Sequence, residues 1–169
     1  MFGLFSKDYA KGAREIGSAQ LRGSLEEAVH PWGGIAHAVR TIAQDWLWLD
    51  DSYLLLTERN ARRLAYNEHW SRGQRIYRKE AYDCDDFTRA WLADMGKAAA
   101  KNGMERPPAL GPIDFFPAGS FGIDESRHMA GWVAFQAPQG GVGFWIYEPQ
   151  NGNFYHPKER VKETILAYG

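Results

Sequence analysis

A chain of 169 residues, 44% hydrophobic and 24% charged, is long enough for one packed domain and too apolar to remain unfolded. Its formal net charge of −1 gives no basis for a nucleic-acid partner, and its single cysteine excludes an internal disulfide and any multi-cysteine zinc site. No run of about 18 apolar residues occurs, and the start Met1-Phe2-Gly3-Leu4-Phe5-Ser6-Lys7-Asp8 has neither a basic nor a sustained apolar region, so neither a membrane span nor a signal peptide is expected.

Residues 7–30 read as a rather polar helix, with Ser24 as N-cap and Glu27 three residues on completing a capping box. Pro31 and Gly33-Gly34 interrupt it, and Ile35, Ala38, Val39, Ile42 and Trp46 then recur at helical spacing. Residues 1–45 are therefore expected to form a helical segment packed on, or extending from, a main domain of 46–169. Trp46 to Ser52 ends in a turn. Thr57 then N-caps a helix from Glu58 to about Trp70, with Ala61, Leu64, Ala65 and Trp70 as its apolar stripe and Gly73 as its stop. Residues 74–82 are a connector, extended near Ile76-Tyr77.

Asp83 is expected to cap the central helix, which runs to about Lys101. Cys84, Phe87, Trp91, Met95 and Ala98 share one helical face, and Gly103 provides the C-terminal stop. Beyond Pro108 the pattern changes to strands: Ile113 to Phe116, Met129 to Phe135 and Val142 to Tyr147, with turns at Pro138-Gln139-Gly140-Gly141 and Asn151-Gly152-Asn153. Residues 158–168 fit a short helix or a last strand equally. The fold class is α+β, a central helix packed on an antiparallel sheet with an N-terminal helical segment.

The cysteine lies in Tyr82-Asp83-Cys84-Asp85-Asp86-Phe87 at the start of that helix. A helix N-terminus favours a thiolate, whereas three adjacent carboxylates oppose one. A nucleophilic cysteine needs a base within hydrogen-bond reach and a group to orient that base. Of five histidines, His30, His37 and His69 belong to the helical half and His156 follows a turn. His128 enters a strand, on the face shared with Ala130, Trp132 and Ala134. A hairpin turn near residue 138 or 139 sets position 128 opposite 148–150, where Glu148 can hold the imidazole and stabilise its protonated form. An imidazolium beside Cys84 outweighs solvated acids, and the Cys84 backbone N–H offers one oxyanion donor. No second donor is evident, although Gln74 lies upstream.

Each residue also has an ordinary reading. A lone cysteine on an apolar stripe is often simply buried, acids in a first helical turn are common, and Asp85 with Arg89 is an i,i+4 surface pair. Trp91, Trp132 and Trp145 read as core.

Asp83-Cys84-Asp85-Asp86-Phe87 opening a helix, a histidine at a strand start 44 residues on, and Glu148-Pro149-Gln150 one hairpin later resemble the transglutaminase-like and papain-like cysteine hydrolases. Within them the chain is most similar to a group found in bacteria and phages and as the C-terminal domain of a mushroom lectin. The resemblance covers about residues 46–157. It implies a papain-like or transglutaminase-like fold and a protein or peptide substrate. Cys84 would be the nucleophile, His128 the base and Glu148 the orienting acid. It also implies a cytoplasmic location, or the virion or host cytoplasm for a phage protein. The papain-type glutamine upstream of the nucleophile is not evident: Arg78 stands six residues before Cys84. No cofactor is required, but Asp85 and Asp86, with Asp83 and Glu148, offer oxygen ligands suited to calcium or manganese, which the resemblance allows. Two other functions are weighed: an NlpC/P60-type cell-wall peptidase, against which Asp85-Asp86 replace the usual Ser-Gly, and a catalytically inactive papain-like binding or structural module.

Overall fold

The computed structural model of the chain describes residues 8–29, 50–69, 83–117, 128–157 and 161–167. The helix expected at 35–46, the connector 74–82 with Gln74 and Arg78, and His30 and His37 lie outside them.

The N-terminal segment is not helical throughout. Arg14–Gly17 forms strand β1, and helix α1 occupies Ser18–Val29. β1 pairs antiparallel with β2, Ser52–Leu55, from Arg14↔Leu55 to Gly17↔Ser52. Local sequence yields here to a non-local ladder that buries Ile16. Ser24 accordingly sits inside α1 instead of capping it. Ser18 N–H, in the first turn, donates to the Asp51 carbonyl at 2.9 Å. Leu21 and Leu25, one turn apart, point into the core.

Thr57 precedes helix α2, Glu58–His69; its carbonyl accepts from Ala61 N–H at 2.9 Å and its hydroxyl from Asn60 N–H at 3.4 Å. Helix α3 spans Cys84–Lys101 and buries the expected stripe of Phe87, Trp91, Met95 and Ala98. Gly103, at φ 62°, closes it: Gly103 and Met104 N–H donate to the Ala100 and Ala99 carbonyls.

The main sheet contains β3 (Leu110–Pro117), β4 (His128–Gln136), β5 (Val142–Glu148), β6 (Asn153–Tyr155) and β7 (Val161–Ala167). Its order is β6-β5-β4-β3-β7, antiparallel throughout. The last segment is thus a strand, paired with β3 from Ile113↔Ala167 to Pro117↔Val161. The alternation of β4 explains the layers. Val133 and Phe135 face α2 and α3 together with Leu64, Trp91, Met95 and Tyr147. Ala130, Trp132 and Ala134 face α1 and the β1–β2 ribbon together with Ile16, Leu21, Leu25, Tyr53 and Leu55. An α+β fold with an antiparallel sheet between two layers follows, and among the described residues no helix is long and apolar enough to cross a membrane.

Gly131 lets α3 lie close on β4, because a Cβ there would overlap the Trp91 ring. Replacing it by alanine overpacks a fully buried contact, and Gly131→Ala is expected to lose about 1–3 kcal/mol in a urea melt. An unchanged midpoint would show that Trp91 has room to retreat.

Candidate active site

Three elements converge at the end of the sheet that holds the start of β4. Helix α3 begins with Cys84, β4 with His128, and β5 ends with Glu148. His128 Nε2 and Glu148 Oε2 are 2.6 Å apart, and both side chains are about 2% exposed. The hairpin turn expected near 138 brings them together: Gly140 adopts φ 87° and its N–H donates to the Ala137 carbonyl at 3.0 Å. The register falls within the sequence expectation, a turn centred at 139 that sets position 128 opposite 150. The β4–β5 ladder ends at Gly131↔Tyr147, so its continuation sets Ala130 beside Glu148 and makes His128 a diagonal neighbour. Both side chains keep to the face of Trp132 and Ile146. Phe115 meets the His128 ring edge-on at 5.5 Å, fixing its plane from the other side.

Cys84 is the other group that acts on the His128 imidazole, by hydrogen bonding and charge attraction that both favour its protonated form. With Nε2 committed to Glu148, Nδ1 is the nitrogen left for the sulfur. Burial alone would push this imidazole toward its neutral form; hydrogen bonds and charge attraction from Cys84 and Glu148 outweigh it and push its pKa up to about 9. Glu148 Oε1 accepts from Gln150 N–H at 3.3 Å, while the Glu148 carbonyl accepts from Asn151 and Gly152 N–H at 3.3 and 2.8 Å. The turn after β5, with Gly152 at φ 74°, therefore holds the carboxylate in place. Cys84 itself is partly exposed, so the sulfur is reachable while its two partners are sealed.

Asp83 occupies the N-cap position, at φ −107° and ψ −163°, but its side chain makes no cap hydrogen bond, contrary to the sequence expectation. Its carboxyl instead hydrogen-bonds to Asp85. That bond, burial, and repulsion from Asp85 and Asp86 hold Asp83 above the ordinary carboxyl range. The same bond and the Arg89 guanidinium hold Asp85 below it, against burial. Arg89 lies 2.7 Å from Asp85 and 3.6 Å from Asp86. Asp83, Asp85 and Asp86 each present an oxygen within 4.8 Å of the others. That is a hard-oxygen set of the type calcium or manganese takes, but Arg89 already pairs with two of its three members. Glu148 is not part of this cluster.

His156 stands edge-on to Trp145 at 6.1 Å, away from the sulfur. A cleft of about 490 Å³ opens between α2 and β6, lined among others by Arg62, Arg63, Tyr66 and Asn153, but neither Cys84 nor His128 lines it. Thr88, which the sequence reading passed over, sits fully buried one helical turn from Cys84 and bonds to both α3 and β4. Its offset of four from the cysteine was the available signal.

No family model matches the chain, and no curated protein does. Among solved structures it is similar to the lectin of Polyporus squamosus. The complex of PSL1a with E64 aligns at a TM-score of 0.54 and 18% identity, over 91% of this chain and 49% of the other. The same lectin bound to the human-type influenza-binding epitope Neu5Aca2-6Galb1-4GlcNAc aligns at 0.58 and 16%, over 90% and 49%. At this identity the likeness is one of fold, and the chain spans about half the length of the structures it matches.

Proposed function

We propose that the chain is a cysteine hydrolase or acyltransferase of the papain-like and transglutaminase-like kind, acting on an amide or peptide carbonyl. The observation that carries this reading is one imidazole held between a partly exposed thiol and a sealed carboxylate. The Cys84 sulfur attacks the carbonyl carbon as the C=O π pair moves onto oxygen. The Cys84 backbone N–H at the helix start is one donor for that oxyanion. Collapse of the intermediate breaks the C–N bond, and His128 gives its proton to the leaving amine. A thioester remains. Water or an amine then attacks it, losing a proton to His128, and the thiolate departs. Glu148 keeps imidazole and imidazolium in one orientation throughout. The glycan named with the lectin is not carried over to this chain, because the likeness at this identity extends to fold alone.

The reading predicts selective alkylation of Cys84. Iodoacetamide near neutral pH should label the wild-type protein at least about tenfold faster than His128→Ala, followed by intact mass. E64 should leave a one-to-one adduct on Cys84. Equal alkylation rates would instead leave a non-catalytic binding scaffold.

Stability should follow the imidazole. The folded pKa of His128, about 9, lies above its ordinary value of 6.5. Its contribution is therefore complete below 6.5 and is lost as pH rises through 9. Urea midpoints should fall across that window in the wild type, begin to fall at lower pH in Glu148→Gln, and lack this component in His128→Ala.

Calcium or manganese on Asp85 and Asp86 would have to displace Arg89. Adding either ion is thus expected to leave the alkylation rate unchanged. A rate increase that disappears in Asp85→Asn would place a cation there.

A further inference from the structure

Thr88 lies one turn into α3 and has no exposed surface. Its hydroxyl contacts the Cys84 carbonyl at 2.8 Å and the Met129 carbonyl at 3.2 Å. Both partners are acceptors, so the single hydroxyl proton is shared between them. The first contact is the back-bond to the i−4 carbonyl open to any helical threonine. The second is not local: it crosses from the helix to β4, at the residue next to His128. The β4–β5 ladder starts only at Gly131, so β4 extends past its last β5 partner where Thr88 reaches it. One turn further along α3, the packing of Trp91 on Gly131 fixes the helix against the sheet.

We infer that Thr88 is a positioning residue, whose hydroxyl ties the backbone of the nucleophile to the backbone beside the base and so sets the Cys84–His128 distance. The inference rests on the reading of Cys84 and His128 as a reacting pair. A hydroxyl shared between the two carbonyls fixes how far the helix start can rise from the strand end. Further along, Trp91 on Gly131 is a second link between the two elements. Losing the hydroxyl also leaves two carbonyls competing for fewer donors in a buried place, which favours separation of helix and strand. A shift of a fraction of an ångström is enough to weaken a sulfur–imidazole contact that must hold a proton in flight.

The test compares Thr88→Val, which keeps the shape and removes the hydroxyl, with Thr88→Ser, which keeps the hydroxyl. Iodoacetamide labelling of Cys84 is measured in the full chain at neutral pH, well below each variant's melting temperature, with His128→Ala alongside. Thr88→Val is expected to label at least about tenfold more slowly than wild type, and Thr88→Ser should restore most of that rate. Wild-type labelling in folded Thr88→Val would overturn the positioning role while leaving the Cys84–His128 pair standing, provided His128→Ala still slows the reaction. If His128→Ala does not slow it, the pair itself falls and the role of Thr88 with it. Should Thr88→Val not fold, Thr88→Ala and Thr88→Ser serve as the comparison. Equal slowing in these two, without rescue by serine, also overturns the inference, since it would trace the effect to the lost methyl group.

Discussion

The bond between His128 and Glu148 is the constraint on which the rest of this structure depends. Two ionisable groups are sealed from water at 2.6 Å, and a buried pair of this type is tolerated only when its geometry is fixed and its remaining valences are met. Removing one partner strands the other, which typically costs about 3–5 kcal/mol. The sheet must therefore hold β4 and β5 in one register, since a slip of one residue would turn His128 to the opposite face. The Ala137–Gly141 turn below and the Asn151–Gly152 turn above pin that register at both ends of the hairpin. Phe115, brought in by β3, then leaves the ring one orientation.

Cys84 reaches this pair from the other side of the sheet. Helix α3 packs on the face of Val133 and Tyr147, whereas His128 and Glu148 share the face of Trp132 and Ile146. The two sets meet because the helix begins at the sheet end, beyond the last β4–β5 pair. Helix position is set two turns away, where the Trp91 ring lies on the bare backbone of Gly131. Packing and site are thus one problem: a residue with no chemistry of its own helps to decide where the start of α3 stands relative to His128.

Much of this was legible in the chain. The stripe of Phe87, Trp91, Met95 and Ala98 marks a helix by period, and alternation with glycine-rich turns marks the hairpin that joins His128 to Glu148. What escaped depends on distant partners. Arg14-Glu15-Ile16-Gly17 carries one apolar residue and reads as helix; it becomes a strand only because Ser52–Leu55 lies beside it. Val161–Ala167 alternates too weakly to choose between helix and strand until β3 supplies an edge. For Thr88 the offset of four from Cys84 gave only half the signal, because its second acceptor, the Met129 carbonyl, lies 41 residues away.

The acids around Cys84 remain to be reconciled with a reactive thiol. Three carboxylates beside a sulfur would ordinarily oppose its ionisation. Here the bond to Asp85, burial and repulsion from Asp85 and Asp86 raise the Asp83 pKa, while the same bond and Arg89 lower that of Asp85. Arg89 offsets charge at Asp85 and Asp86, although its exposure at 68% keeps each contact weak. Charge on the opposing side is less screened: the imidazole is buried, hydrogen-bonded to the sulfur and stabilised as a cation by Glu148. Screening therefore weakens the exposed acids more than the buried imidazole. The acids then act on the fold, tying the first turn of α3 to itself through Arg89, while the sheet holds the imidazole and its carboxylate.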